Sequence, residues 1–194
     1  RYINLPGAPY AAHYPPGYPL FLALLWTLAP EFPQNVAVFT FANAGFLALA
    51  AYATFRFAQG RLAAGTLGSA AVAVVGTASL PALALGVFVL SEPMFMALLM
   101  PTLILAGRAA ERGDWREAVL AGVAGGALAM VRTTGMFVGP ALVLVLFLRR
   151  RWLPGIAAAA AYAVFIIPWH LWVAAHGAEI PAVLVGKYGP YDTW

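Results

Sequence analysis

The sequence predicts an all-α, polytopic membrane bundle of about six transmembrane helices plus one interfacial helix, and three observations carry that prediction. Of 194 residues, 63% are hydrophobic and only 9% charged, and the mean hydropathy is +0.83, too apolar for an ordinary soluble domain. The arginines stand in short turns between apolar runs, which is how loop charge sets membrane orientation. They do not form the clustered, interleaved basic face that nucleic acid requires, despite a net charge of +4. The absence of cysteine removes disulfides, thiolate metal sites and a cysteine nucleophile from consideration. Residues 1–194 read as one transmembrane domain. Because they begin at Arg1 and carry no leader-like segment, a chain truncated at its N-terminus is expected, with the loop from Tyr188 to Trp194 cut in mid-course.

In chain order, the least generic stretch comes first: His13-Tyr14-Pro15-Pro16-Gly17-Tyr18-Pro19-Leu20. Its prolines are expected to hold an extended loop, since each fixes its own φ and biases the preceding residue away from helix. Tyr18 to Ala29 is shorter than the roughly 20 residues of a spanning helix and reads as the interfacial or half-membrane helix. Pro30-Glu31-Phe32-Pro33 ends it. The expected spans are then Gln34 to Phe57, Leu62 to Ser79, Met94 to Gly107, Ala118 to Val131, Gly135 to Leu148 and Leu153 to Ala175, the last carrying Pro168. Arg56 and Arg61 should bracket a turn, and Gly65, Gly68 and Gly76 should allow close helix packing. Ser91-Glu92-Pro93 has the form of a helix start. Arg108 to Arg116 reads as a polar loop, and Arg132-Thr133-Thr134 as a hairpin apex.

Alternation along this path places the arginines at 56, 61, 108, 112, 116, 149, 150 and 151 on one side. These are 8 of the 11 basic residues, so that side is expected to be cytoplasmic. The proline-rich stretch, Glu31, Glu92, Arg132 and the tail after His176 then share the other side.

Glu92 is the sole charged residue between Arg61 and Arg108, a costly placement unless it faces protein, a cavity or the interface. It either works in chemistry or serves the dipole of its helix start. Arg132 either binds a phosphate through its planar fork or snorkels to fix hairpin depth. His13 can donate to a phosphate or substrate hydroxyl, or simply bond a backbone carbonyl. Lys187, Tyr188 and Asp192 offer a cation, an aromatic ring and a carboxylate in a turn-rich loop, which also suits a plain surface loop. His170 and His176 do not share a helical face, which argues against a metal site built from them, and Trp169 and Trp172 read as an aromatic belt. The phosphate-loop, dinucleotide, HExxH and GxSxG patterns are all missing, which argues against a soluble nucleotide donor.

The proline-rich loop, the Ser91-Glu92-Pro93-Met94-Phe95 start and the Arg132 hairpin, in that order, resemble the C-type multi-spanning membrane glycosyltransferases. The likeness is to the branch related to protein O-mannosyltransferases and lipid A aminoarabinose transferases. It implies an enzyme of the plasma (inner) membrane that takes a sugar from a polyprenyl phosphate on the extracytoplasmic face. The acceptor is a hydroxyl of a glycan, lipid or protein. By the resemblance, Glu92 is a secondary acidic group aiding a base or a divalent metal, the one cofactor it admits, with no metal ligand assigned. His13, Tyr18, Arg132, Lys187 and Tyr188 bind substrate or its phosphate. The family's principal catalytic aspartate lies upstream of Arg1, so the fragment by itself is expected to be inactive. The alternative from the residues is a secondary transporter with Glu92 and Arg132 as coupling or substrate groups; a third is a non-catalytic packing subunit.

Overall fold

The computed structural model describes residues 14–176, and every regular element among them is helical. The order is α1 (Gly17–Leu28), α2 (Asn35–Arg61), α3 (Thr66–Thr77), α4 (Leu80–Val87), α5 (Glu92–Arg112) and α6 (Trp115–Val131). A 3-10 helix (Thr133–Phe137) then runs into α7 (Val138–Leu148), followed by α8 (Trp152–His176). Three of these, α2, α5 and α8, are long and apolar enough to cross a membrane. Against the six spans expected, α6 has 17 residues and α7 has 11, both below the usual spanning length.

Several boundaries differ from the sequence expectation, each for a local reason. The extended proline loop stops at Pro16, whose φ of −76° and ψ of −9° are helical, and α1 starts at Gly17 with Tyr18 and Pro19 inside its first turn. Proline is tolerated there because a first-turn N–H has no intrahelical acceptor. Arg56 does not border a turn, because α2 continues to Arg61. The run from Leu62 to Ser79 is not one span: α3 has 12 residues, about 18 Å at 1.5 Å per residue, and α4 begins anew with a proline in its first turn. The expected polar loop from Arg108 to Arg116 contracts to Gly113 and Asp114. Gly113 takes the left-handed cap at φ 70° that a side chain disfavours, and the Asp114 carboxylate accepts the Arg116 backbone N–H at 2.9 Å as an N-cap.

The core is built from small side chains. Ala109, Ala110, Ala118, Ala121 and Ala158 pack with Leu142 and Leu146 between α5, α6, α7 and α8, while Phe41, Leu67, Val164 and Leu171 point outward. Lipid is as apolar as leucine, so helices gain from close backbone approach rather than from hiding large side chains. The glycines that achieve it are not those of α3. Gly65 and Gly76 have open space where a Cβ would stand, whereas a Cβ on Gly126 would lie 2.5 Å from the Phe165 ring. Gly122 likewise lies against the backbone of α8 at Ala158.

Candidate functional site

Charge gathers at two separate places along the helices. At one, Arg61 at the end of α2 pairs with Glu111 near the end of α5. Arg112 pairs with Glu117 of α6 at 2.5 Å, Arg149 reaches the Ala110 carbonyl at 3.5 Å, and the Arg151 side chain lies over Gly113. The arginine-bearing turns therefore do meet at one end of the bundle. At the opposite ends of α5 and α6, Glu92 and Arg132 form an ion pair. Two residues 40 positions apart and singled out separately are thus brought together.

Each partner is placed by its own helix end. Glu92 is the first residue of α5, with Pro93 behind it; Ser91 precedes it with helical dihedrals and makes no side-chain cap. Arg132 is the C-cap of α6, in extended conformation, with φ −147° and ψ 144°. Its N–H donates to the Leu128 carbonyl at 3.2 Å, and its carbonyl accepts from Gly135 N–H at 2.9 Å. Gly135 must be glycine-small here, since a Cβ would come within 2.6 Å of the Leu128 carbonyl oxygen. The Tyr162 hydroxyl of α8 donates to the Met136 carbonyl at 2.7 Å and holds the 3-10 helix from the other side. The arginine backbone is fixed, whereas its side chain remains 33% exposed and that of Glu92 27% exposed.

Tyr18 joins this end through a residue the sequence reading passed over. Asn43 of α2 is wholly buried. Its Oδ1 accepts the Tyr18 hydroxyl at 3.3 Å, and its Nδ2 donates to the carbonyls of Phe88 at 2.8 Å and Leu90 at 3.3 Å. One amide thus ties α1 and α2 to the segment leading into Ser91 and Glu92. Tyr18 lies outside the three spanning helices. Burial pushes its phenol above the ordinary value, the Asn43 bond opposes the rise, and the Glu92 carboxylate adds to it. The available signal was an amide within the uncharged apolar run that precedes Arg56 in α2, which lipid makes costly unless it is paired. Asn35 carries the same signal, yet both its polar side-chain atoms are buried without a partner among the described residues.

At the same end of α6 lies an apolar groove of about 300 Å³ lined by Pro16, Leu20, Met130, Phe165, Trp169 and Trp172, with neither Glu92 nor Arg132 in its wall. Gly17 opens α1 against the Met130 carbonyl, where a Cβ would stand only 2.6 Å away. Met130 thus connects the groove to the α6 end that carries Arg132. Trp169 and Trp172, expected in an aromatic belt, line this groove. His176 approaches the Trp172 carbonyl at 3.0 Å.

His13, Lys187 and Tyr188, with Asp192, lie outside the described residues. Among those described, no group of three or more metal-ligating side chains gathers, and the Glu92 carboxylate faces a guanidinium. That neighbour disfavours a cation at Glu92. Comparison with protein-family models, with curated proteins and with solved structures finds no match for this chain.

Proposed function

We propose that this chain belongs to a membrane glycosyltransferase that moves a sugar from a polyprenyl-phosphate-linked donor to an acceptor hydroxyl at the extracytoplasmic face of the plasma membrane. The single observation that carries the reading is the Glu92–Arg132 pair at the same end of α6 as an apolar groove, opposite the arginine-bearing turns. A donor of this kind has an apolar tail and an anionic head, and these two features take them in turn. Arg132 offers its planar fork to the phosphate and stabilises the negative charge that develops as the phosphate leaves. Glu92 is a carboxylate in reach of the same region, suited to assist removal of the acceptor proton. In this reading His13, Lys187 and Tyr188 complete the substrate-binding set, Tyr18, buried and bonded to Asn43, supports it from within, and the chain makes six spans.

Secondary transport through Glu92 and Arg132 is the rival. Transporter sites gather near the bilayer midplane, whereas Glu92 is the first residue of α5, a helix long and apolar enough to cross a membrane, which favours the transferase. The test is binding of a polyprenyl-phosphate-linked hexose to the chain in nanodiscs, read by native mass spectrometry. Binding lost in Arg132→Gln and displaced by polyprenyl phosphate but not by polyprenol supports the proposal. Equal binding by wild type and Arg132→Gln overturns it.

A further inference from the structure

The ion pair is built so that it can open. Arg132 pairs with Glu92 through Nη1, and no ion pair to another side chain is seen among the described residues. The remaining N–H donors of its five-donor fork stand on a side chain one-third exposed to solvent. Each charge is also favoured where it stands without the other. Glu92 opens a helix of 21 residues, whose N-terminal dipole favours an anion, and Arg132 closes one of 17 residues, whose C-terminal dipole favours a cation. Separating them therefore strands neither charge in an adverse field.

We infer that a phosphate group and the Glu92 carboxylate compete for the Arg132 guanidinium, so that seating the phosphate releases Glu92 as an unpaired carboxylate beside it. The inference deepens the phosphate-binding reading of Arg132 proposed above and rests on it. A phosphate presents oxygens spaced for two parallel N–H bonds and, as the monoester formed when the sugar departs, carries more charge than a carboxylate, so it competes for the fork. The fixed backbone of Arg132, bonded to Leu128 and Gly135, lets the guanidinium change partners without moving the helix end. Until phosphate arrives, the carboxylate is held by the cation. Glu92 is therefore withheld as a base in the empty site and freed in the filled one.

The sign of one mutational effect decides the matter. If Glu92 competes, neutralising it removes a rival and a like charge next to the bound anion, and phosphate binding tightens about tenfold in Glu92→Gln and Glu92→Ala. If Glu92 instead only orients Arg132, both variants bind more weakly. The measurement is titration of nanodisc-embedded wild type, Glu92→Gln, Glu92→Ala and Arg132→Gln with inorganic phosphate and, separately, polyprenyl phosphate. Thermal unfolding of each variant confirms that it is folded. Tightening in both Glu92 variants with loss in Arg132→Gln supports the competition. When tightening appears for both probes the ligand is the phosphate itself; when it appears for polyprenyl phosphate alone, the ligand is the lipid headgroup. Glu92 variants that bind either probe no better than wild type overturn the competition while leaving the phosphate site standing. Undiminished binding in Arg132→Gln overturns both.

Discussion

The two polar ends of the bundle use charge in opposite ways. At the arginine-rich end, cations are plentiful and each pair has one exposed member: Arg112 is 66% exposed against Glu117 at 17%, and Glu111 is 57% exposed against Arg61 at 22%. Such pairs are screened and interchangeable. At the Glu92 end the Glu92–Arg132 pair is mostly covered on both sides, and the amide of Asn43 organises the backbone around it. The abundant charges read as topology and the scarce ones as a site, because scarcity in an apolar chain means that each placement had to be compensated individually.

Substitutions sharpen this contrast when ranked by expected effect. Asn43→Leu leaves the Tyr18 hydroxyl and the Phe88 and Leu90 carbonyls without their amide. It should lower stability by about 3 kcal/mol, read by thermal unfolding in detergent or nanodiscs. Gly135→Ala drives a methyl onto the Leu128 carbonyl and should cost about 2 kcal/mol, with loss of phosphate binding as the Arg132 turn shifts. Arg132→Gln breaks a pair about one-third exposed and should lower stability by only about 1 kcal/mol, so its binding defect can be measured on folded protein. Arg112→Gln at the opposite end should change stability by less than about 0.5 kcal/mol and leave binding intact. A binding loss in Arg112→Gln comparable to that in Arg132→Gln would erase the distinction between the ends.

A titration sharpens the same comparison. The Tyr18 phenol is raised above 10.0, so the unfolded chain ionises first. The stability this group contributes is complete below pH 10.0 and is lost as pH climbs from there through the folded-state value. Ultraviolet difference titration against Tyr18→Phe reads it. Glu92→Gln should move the Tyr18 midpoint back toward the ordinary value, because the carboxylate is one cause of the rise.

Much of the site was legible residue by residue. A glutamate alone in a long uncharged stretch, and an arginine between two apolar runs, announce themselves without any fold. Asn43 did not, because an amide in a helix reads as tolerable until the carbonyls it serves, 45 and 47 positions away, are known. The proline stretch misled for a related reason. Proline forbids an interior helical N–H but accommodates a first turn, and the sequence alone does not say where Gly17 begins one. The glycines of α3 were read as packing residues because composition counts them equally with Gly122 and Gly126, although only the latter meet a neighbouring helix.

The sequence by itself determined that this chain is apolar, helical and punctuated by arginine turns, since hydropathy and charge spacing are properties of the string and act locally. The tertiary structure decided which ends of the helices coincide, and so turned Glu92 and Arg132 from two unexplained charges into a pair that shares its end of the bundle with Asn43 and an apolar groove. The physical reason is range. Helix formation answers to neighbours within a few residues, whereas an ion pair between positions 92 and 132 exists only after α5 and α6 have packed antiparallel on glycine and alanine.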